Sequence, residues 1–359
     1  MLIPFSHFPD FNLCSQNHNS DLIQVWQTRY LQLCLIKIKQ LKILIMKAII
    51  YNNFGNTAVL QTVEQTKPFI QPNQVLVKIK AFSINPMDWK IRKGEMKLMS
   101  GSKFPKHTGA DFSGIIEDIG SSVNNFKIGE EVFGVVKNIM KEGASSEYVA
   151  VPSSLVWKKP ENISFAQAAS IPVAGTAAVT AIAKMGKINS KTSILVNGAT
   201  GGFGMFLLQL LKQHGANVTA VTSTKGIEYA KKWGADTVID YTKENILLQK
   251  TAYDIIIDLS GKLGYKNAKE IMKPKSIFLN PTPQPIEIPL SLLKNLFTRK
   301  KHIVVLSAPG TNHTTVLLDS VNKGLDIEVS KVFPFNQYQD AYQYAEKGGY
   351  IGKTAIEIN

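Results

Sequence analysis

Between Ser193 and Gln213 the chain reads SILVNGATGGFGMFLLQLLKQ, an apolar strand that runs through a glycine-rich turn straight into an apolar helix. Few arrangements constrain a fold as tightly. Ile194, Leu195 and Val196 are consecutive apolar residues, as in a parallel strand buried on both faces, and parallel strands need a crossover to reach their neighbours. A second apolar strand, NVTAVT, ends at Thr222 and completes a βαβ unit. Gly198, Gly201, Gly202 and Gly204 permit a tight turn and let bare backbone N–H groups approach an anion. The helix opening near Gly202 directs its unpaired amides and positive end at the same point. A dinucleotide pyrophosphate requires this order of elements.

The turn is Gly198-x-x-Gly201-x-x-Gly204, with Thr200 where the G-x-G-x-x-G fingerprint has its second glycine; Gly202 keeps a Cβ-free approach available. After the second strand, a free ribose 2′-hydroxyl would normally meet an Asp or Glu. Here the run is Thr222, Ser223, Thr224, Lys225, without a carboxylate. Ser223 and Lys225 can bond a 2′-phosphate that a carboxylate would repel, so NADP(H) is expected over NAD(H). The competing reading is a solvated strand end.

Residues 1–45 differ from the rest. A polar start is followed by Leu22 to Ile45, where Lys37, Lys39 and Lys42 interrupt the apolar residues and leave no run of the roughly 18 residues a membrane span needs. Basic residues inside the apolar stretch do not match a secretory signal, and Asp10 and Asp21 do not match a transit peptide. We expect translated upstream sequence with a native start at Met46, the alternative being a disordered or loosely docked extension, and a cytoplasmic location. Beyond Met46, QVLVKIK (74–80) alternates Val75, Val77 and Ile79 as a half-buried strand, and SGIIEDIG, GEEVFGVV and SEYVAVP continue a block of short strands. After Pro160 the segment FAQAASIPVAGTAAVTAIAKM reads as helical, and helices then alternate with the strands ILVN, NVTAVT, TVIDY, DIIIDLS and SIFLN, the pattern of a doubly wound parallel sheet. A helix after residue 310, DIEVSKVFPF and a last strand, TAIEI, are expected to return to the first domain. The division is therefore 1–45, 46–168 with 310–359, and an inserted dinucleotide domain at 169–309.

The formal net charge of +14 suits an anionic cofactor and would also attract nucleic acid. No Lys/Arg run has interleaved aromatics, and Arg299, Lys300 and Lys301 form only a short cluster, so no specific nucleic-acid partner is expected. Cysteine occurs only at positions 14 and 34, and the six histidines are scattered. Disulfides and thiolate metal sites are thus excluded after Met46, and a zinc mechanism is not expected.

From Met46 onward several segments in order, MKAIIYNNFG, INPMDWKIRKG, HTGADFSGIIEDIG, EGASSEYVAVP, AASIPVAGTAA, the glycine turn, GADTVIDY and GKTAIEI, together resemble the zinc-independent medium-chain dehydrogenase/reductases. The resemblance is to the quinone oxidoreductase-like branch with its enone and alkenal oxidoreductases. VTAVTSTKG and Phe333-Pro334-Phe335 also resemble a mitochondrial reticulon-interacting subgroup. The resemblance implies an α/β chain, a GroES-like β-rich domain with an inserted Rossmann domain, frequent homodimerisation and NADPH-dependent reduction of quinones or activated double bonds. It implies that Gly201, Gly202, Phe203 and Gly204 hold the pyrophosphate, Ser223 and Lys225 the 2′-phosphate, that Tyr241 lies against the adenosine phosphate, and that Asn280 meets the nicotinamide. Asn85 and Ala110 stand where zinc-dependent relatives place a metal-binding Cys and His.

Reduction of an enone puts negative charge on the carbonyl oxygen, and without zinc its donors must be side chains, amides or cofactor hydroxyls. Asn85, Asp88 and Lys90 come after the QVLVKIK strand and are the candidates. Lys90 could bind the enolate or pass a proton, or form an exposed pair with Asp88; Asp88 reads better as a loop-bracing carboxylate. Two other functions stay open: an NADPH-binding redox-sensing or interaction protein with little turnover, and a ketone or alcohol dehydrogenase.

Overall fold

A computed structural model of the chain describes residues 28–29, 45–249, 251–284, 286–306 and 313–358, with 313–315 as backbone only. The chain divides into two units, 1–47 with 64–67 and 48–63 with 68–359. In the first, the described residues are Thr28, Arg29, Ile45 to Lys47 and Glu64 to Lys67; the expected extension, 1–45, otherwise lies outside the described residues. The second unit carries the six-stranded and seven-stranded sheets.

The expected block of short strands is present as β1 (Ile45–Tyr51), β2 (Gln61–Thr66), β3 (Gln74–Ser83), β4 (Lys106–His107), β5 (Asp111–Ile119), β6 (Glu131–Val135), β7 (Tyr148–Pro152) and β8 (Val156–Lys158). Alternation with helices then begins, through β9 (Ser193–Asn197), β10 (Asn217–Thr222), β11 (Thr237–Asp240), β12 (Tyr253–Asp258), β13 (Met272–Asn280) and β14 (Lys300–Val304). β15 (Val329–Pro334) and β16 (Lys353–Glu357) close the described chain.

Strands β9 to β14 form one sheet in the order β11-β10-β9-β12-β13-β14, and every pair is parallel. Counted from β9 this is the doubly wound order 3-2-1-4-5-6, whose ligand crevice lies at the carboxyl ends of β9 and β12, where the winding reverses. Ile194, Leu195 and Val196 are fully buried at its centre. The helix Gly202–Gln213 covers one face with Met205, Phe206, Leu207, Leu208, Leu210 and Leu211, each such side chain contributing roughly 1.5–3 kcal/mol by leaving water.

β15 and β16 return to the first block and complete the order β15-β16-β3-β5-β6-β8, with β7 also on β3. The expected return of the tail is therefore observed. Three details differ from the sequence reading. β3 is not half-buried: Leu76, Ala81 and Phe82 are buried along with Val75, Val77 and Ile79, because β5, β7 and β16 flank it and the helix Phe165–Ala169 packs on it. The long helical segment after Pro160 is two helices, Phe165–Ala169 and Pro172–Met185, since Pro172 lacks the N–H that a continuous helix needs. The cluster Arg299 to Lys301 introduces a sixth parallel strand, β14, preceded by an unforeseen helix, Glu287–Asn295.

Candidate active site

The turn after β9 is built by close approaches. Gly198 has φ +80°, open to glycine at little cost, and its N–H and that of Ala199 both donate to Val221 O at 3.1 Å. A Cβ on Gly204 would lie 2.1 Å from Ala199 O, so this glycine lets the helix sit against the turn. A Cβ on Gly201 would meet nothing nearer than Gly198 O at 3.8 Å; this face is open. Gly201 is the cap residue of the helix Gly202–Gln213, and no side chain caps it, which leaves first-turn amides for a ligand. An anionic pyrophosphate fits this cradle. Phe203 is half-buried against the sheet core. Thr200 is buried, and its hydroxyl is bonded to that of Thr222, so it ties the ends of β9 and β10 together.

At the neighbouring strand end Ser223 is partly exposed and Lys225 exposed, with Gly226 N donating to Ser223 O at 2.8 Å. Tyr241 is 55% exposed, so packing in the core is not its role. The sequence reading missed Asp240, paired with Thr222 across the sheet. Thr224 Oγ1 donates to its Oδ2 at 2.5 Å, and Thr242 N and Oγ1 donate to its Oδ1 at 3.0 and 2.7 Å. The Thr224 hydroxyl, foremost, and Thr242 hold this carboxyl below its ordinary value. Its oxygens are occupied by Thr224, in the loop that carries Lys225, and by Thr242, just after β11.

At the switch point Asn197 Nδ2 donates to Asp258 Oδ1 at 2.9 Å, and the other Asp258 oxygen accepts Leu263 N and Gly264 N at 2.9 and 3.0 Å. Asp258 thereby fixes the loop beside Gly198, another role the sequence did not single out. Asn280 ends β13; its Oδ1 accepts Thr282 N at 3.0 Å and its Nδ2 donates to Glu287 Oε2 at 3.3 Å. Its side chain braces the turn into the helix Glu287–Asn295.

Asn85, Asp88 and Lys90 lie where β3 passes into the helix Pro86–Arg92. Asp88 Oδ2 accepts Asn85 N at 2.7 Å, which holds the first turn of that helix. Lys90 is half-buried. The Asn85 amide is held from both sides: Nδ2 donates to Asp111 Oδ2 at 2.9 Å, and Oδ1 accepts Lys353 Nζ at 2.6 Å. Lys353 also donates to Ile84 O at 3.0 Å. Asp111 further accepts Ser83 Oγ at 3.3 Å and Val173 N, in the first turn of the helix Pro172–Met185, at 3.1 Å. Asp111 and Lys353 were absent from the sequence-derived site. Asp111 sits inside HTGADFSGIIEDIG and Lys353 inside GKTAIEI, segments in which the residue type alone signals nothing.

Asp88, Asp111 and Lys353 are all buried, and burial disfavours their charged forms. Desolvation pushes Asp88 up to about 7, with Asn85 N–H opposing, and the Asp111 charge adds to the rise. Desolvation likewise raises Asp111 to about 6 against the pull of Lys353 and Asn85. Burial lowers Lys353, opposed by the two carboxylates. Tyr51 and Tyr342, on other elements, face the same carboxylate, and both phenols are raised by burial and by Asp88. Two carboxyls and one ammonium thus share a space from which water is excluded. Among the described residues no group of three or more His, Cys, Asp or Glu is arranged to hold a metal ion.

Known proteins resemble the chain in both parts of this architecture. Residues 71–161 match the alcohol dehydrogenase GroES-like domain, and residues 233–356 match the zinc-binding dehydrogenase family. The chloroplast envelope quinone oxidoreductase homolog of Arabidopsis thaliana is 30% identical over 325 residues, covering 87% of this chain and 98% of that one. The chloroplastic NADPH-dependent alkenal/one oxidoreductase of the same organism is 32% identical, over 87% of this chain and 79% of the relative. Among solved structures, the quinone oxidoreductase from Coxiella burnetii superposes with a TM-score of 0.78 at 29% identity, over 88% of this chain and 100% of its own. With a β-rich GroES-like block, an inserted 3-2-1-4-5-6 sheet and relatives of this identity over most of their lengths, the chain belongs to the quinone oxidoreductase-like branch of the medium-chain dehydrogenase/reductases.

Proposed function

We propose that the protein is an NADPH-dependent reductase of quinones or of the activated C=C bond of enones and alkenals. One observation carries the reading: a single lysine, Lys353, touches both the glycine turn and the Asn85 loop, so nucleotide cradle and substrate loop adjoin at the switch point of the sheet. The names of the alkenal/one and quinone oxidoreductase relatives support the substrate class. When bound, NADPH supplies the hydride. The first-turn amides of the helix Gly202–Gln213 hold the pyrophosphate, with Gly201 as the open approach, whereas the space beside Gly202 is taken by Lys353; Ser223 and Lys225 hold the 2′-phosphate, and exposed Tyr241 covers the adenosine end. Asn280 shapes the nicotinamide end from β13. Asn85, with one amide N–H given to Asp111, has its second available for the substrate oxygen. Asp88 braces the loop, and Lys90 donates to the developing enolate or protonates it.

Steady-state NADPH oxidation with a quinone, an alkenal, a cyclic enone and a ketone tests this. Turnover of one of the first three is expected. Tight NADPH binding without oxidation by any acceptor would favour a binding protein, and turnover of the ketone alone a ketone or alcohol dehydrogenase. Lys90→Ala is expected to lower kcat by about 100-fold or more; an unchanged kcat removes Lys90 from the mechanism.

We also propose the division 46–168 with 310–359 and 169–309, supported by β15 and β16 pairing with the first block, and a cytoplasmic homodimer. β14 is an edge strand, and beside it Leu292, Leu296 and Phe297 are 67%, 74% and 85% exposed, an apolar face suited to a second copy. Sedimentation tests the dimer and cell fractionation the compartment. Among the described residues no helix is long and apolar enough to cross a membrane.

A further inference from the structure

We infer that Lys353 is the positioning residue that couples the glycine turn to the Asn85 loop, its stem seated beside Gly202 and its ammonium fixing the orientation of the Asn85 amide. The inference deepens the reductase reading and rests on it. Its first support is the path of the backbone. Gly352 N donates to Thr200 O at 2.8 Å, and Gly352 and Gly201 form a bridge between the last strand and the nucleotide turn. Gly352 has φ +71°, and a Cβ there would lie 2.2 Å from Glu328 O, so the segment carrying Lys353 is held in one position. Lys353 N donates to Glu328 O at 3.0 Å and locks the next residue as well.

The second support is the stem. A Cβ on Gly202 would lie 2.4 Å from Lys353 Cδ and 2.9 Å from Cγ. The missing side chain at Gly202 therefore makes room for a lysine. A glycine that the sequence assigns to the ligand also serves the protein.

The third support is electrostatic. A carboxamide has an acceptor end and a donor end of nearly equal shape, and which way it points depends on its neighbours. Asn85 lies between the Lys353 ammonium at its oxygen and the Asp111 carboxylate at its nitrogen. Reversing the amide would set N–H against ammonium and C=O against carboxylate, two unfavourable contacts in a buried space. The second N–H of Asn85 is thereby fixed in direction. Without the ammonium that constraint is lost, although a side chain of similar length would still fill the space beside Gly202.

The test uses the full chain with Lys353→Met, Lys353→Arg, Asn85→Ala and the Lys353→Met/Asn85→Ala double variant. NADPH affinity is read by fluorescence titration and kcat by NADPH oxidation with whichever quinone or enone the wild type accepts. Lys353→Met is expected to lower kcat at least tenfold while raising the NADPH Kd no more than about fivefold, and Lys353→Arg to return kcat to within about threefold of wild type. In the binding titration, which needs no turnover, Lys353→Met and Asn85→Ala remove the same link, so the double variant binds NADPH no more weakly than the weaker single one. Wild-type kcat in Lys353→Met, an equally impaired Lys353→Arg, or multiplying Kd effects would overturn the inference. A wild type that binds NADPH and oxidises none overturns the reductase reading alone, and the binding cycle still decides for Lys353. Should Lys353→Met not fold, Gly202→Ala displaces the lysine stem without removing its charge; it is expected to lower kcat at saturating NADPH, and a wild-type kcat there overturns the inference.

Discussion

The glycine turn and the Asn85 loop meet at Lys353, yet they are made in opposite ways. The turn is assembled largely from neighbours: Gly198 to Gly204 lie between the strand before and the helix after, a Cβ on Gly201 or Gly204 would meet Gly198 O or Ala199 O, and the distant approaches are those of Gly198 to Ser260 and of Gly202 to Lys353. The loop is assembled from strangers. Asn85 is bonded to Asp111, 26 residues on, and to Lys353, 268 residues on. The turn is neutral and exposes amides; the loop buries two carboxyls and an ammonium. A neutral turn tolerates emptiness at its open face, whereas a buried charge cluster must be complete, since each member left alone suffers uncompensated desolvation.

The largest expected effect tests that completeness. Asp111→Ala leaves Asn85 without its carboxylate partner and Lys353 with Asp88 as its remaining counter-charge, and should destabilise the protein by about 3–5 kcal/mol in urea unfolding. A loss under 1 kcal/mol would mean the cluster is not interdependent. Gly204→Ala tests the turn: its Cβ would lie 2.1 Å from Ala199 O, a backbone atom that cannot move aside. We expect a loss of about 2–3 kcal/mol together with weakened NADPH binding; a stable variant with intact binding would show the turn to be looser than drawn.

A third prediction concerns pH. Asp88, raised to about 7 by burial, binds its proton more tightly in the folded chain than in the unfolded one. It therefore contributes stability that is present below pH 4 and is lost as pH rises toward 7. The difference in unfolding free energy between wild type and Asp88→Asn should accordingly fall between pH 4 and 7. A flat or rising difference would place the charged form of Asp88 in a better solvated setting than its burial implies. The smallest effect lies at the rim of the turn: Lys225→Ala should reduce the preference for NADPH over NADH by about tenfold, a single charge-assisted contact worth roughly 1–2 kcal/mol. Equal kcat/KM for the two nucleotides in the wild type would remove the 2′-phosphate assignment outright.

The doubly wound sheet was legible because its signal is local. β9 and β10 fall where apolar runs bounded by glycine and threonine put them, and the order strand, turn, helix admits few packings. β14 was hidden by its own lysines: Lys300 and Lys301 open an edge strand in which only His302 is buried, so its pattern is too polar to stand out. β3 looked half-buried because alternation reports one covered face, and only tertiary packing adds the second. At the site, Asp240 went unseen because strand-end reasoning traces β10, whereas the carboxylate arrives on β11 through the register Thr222 to Asp240.

Sequence by itself determined that an apolar strand passes through a glycine turn into an apolar helix within a doubly wound sheet, because glycine spacing and apolar runs act within about twenty residues and need no distant partner. It also named Asn85, Asp88 and Lys90, from their place after a strand. Only the tertiary structure decided what those residues do. The return of the last strand through Gly352 brings Lys353 against Gly202 and Asn85 at once, and a buried ion network is specified by which distant charges the topology unites, a property no local pattern carries.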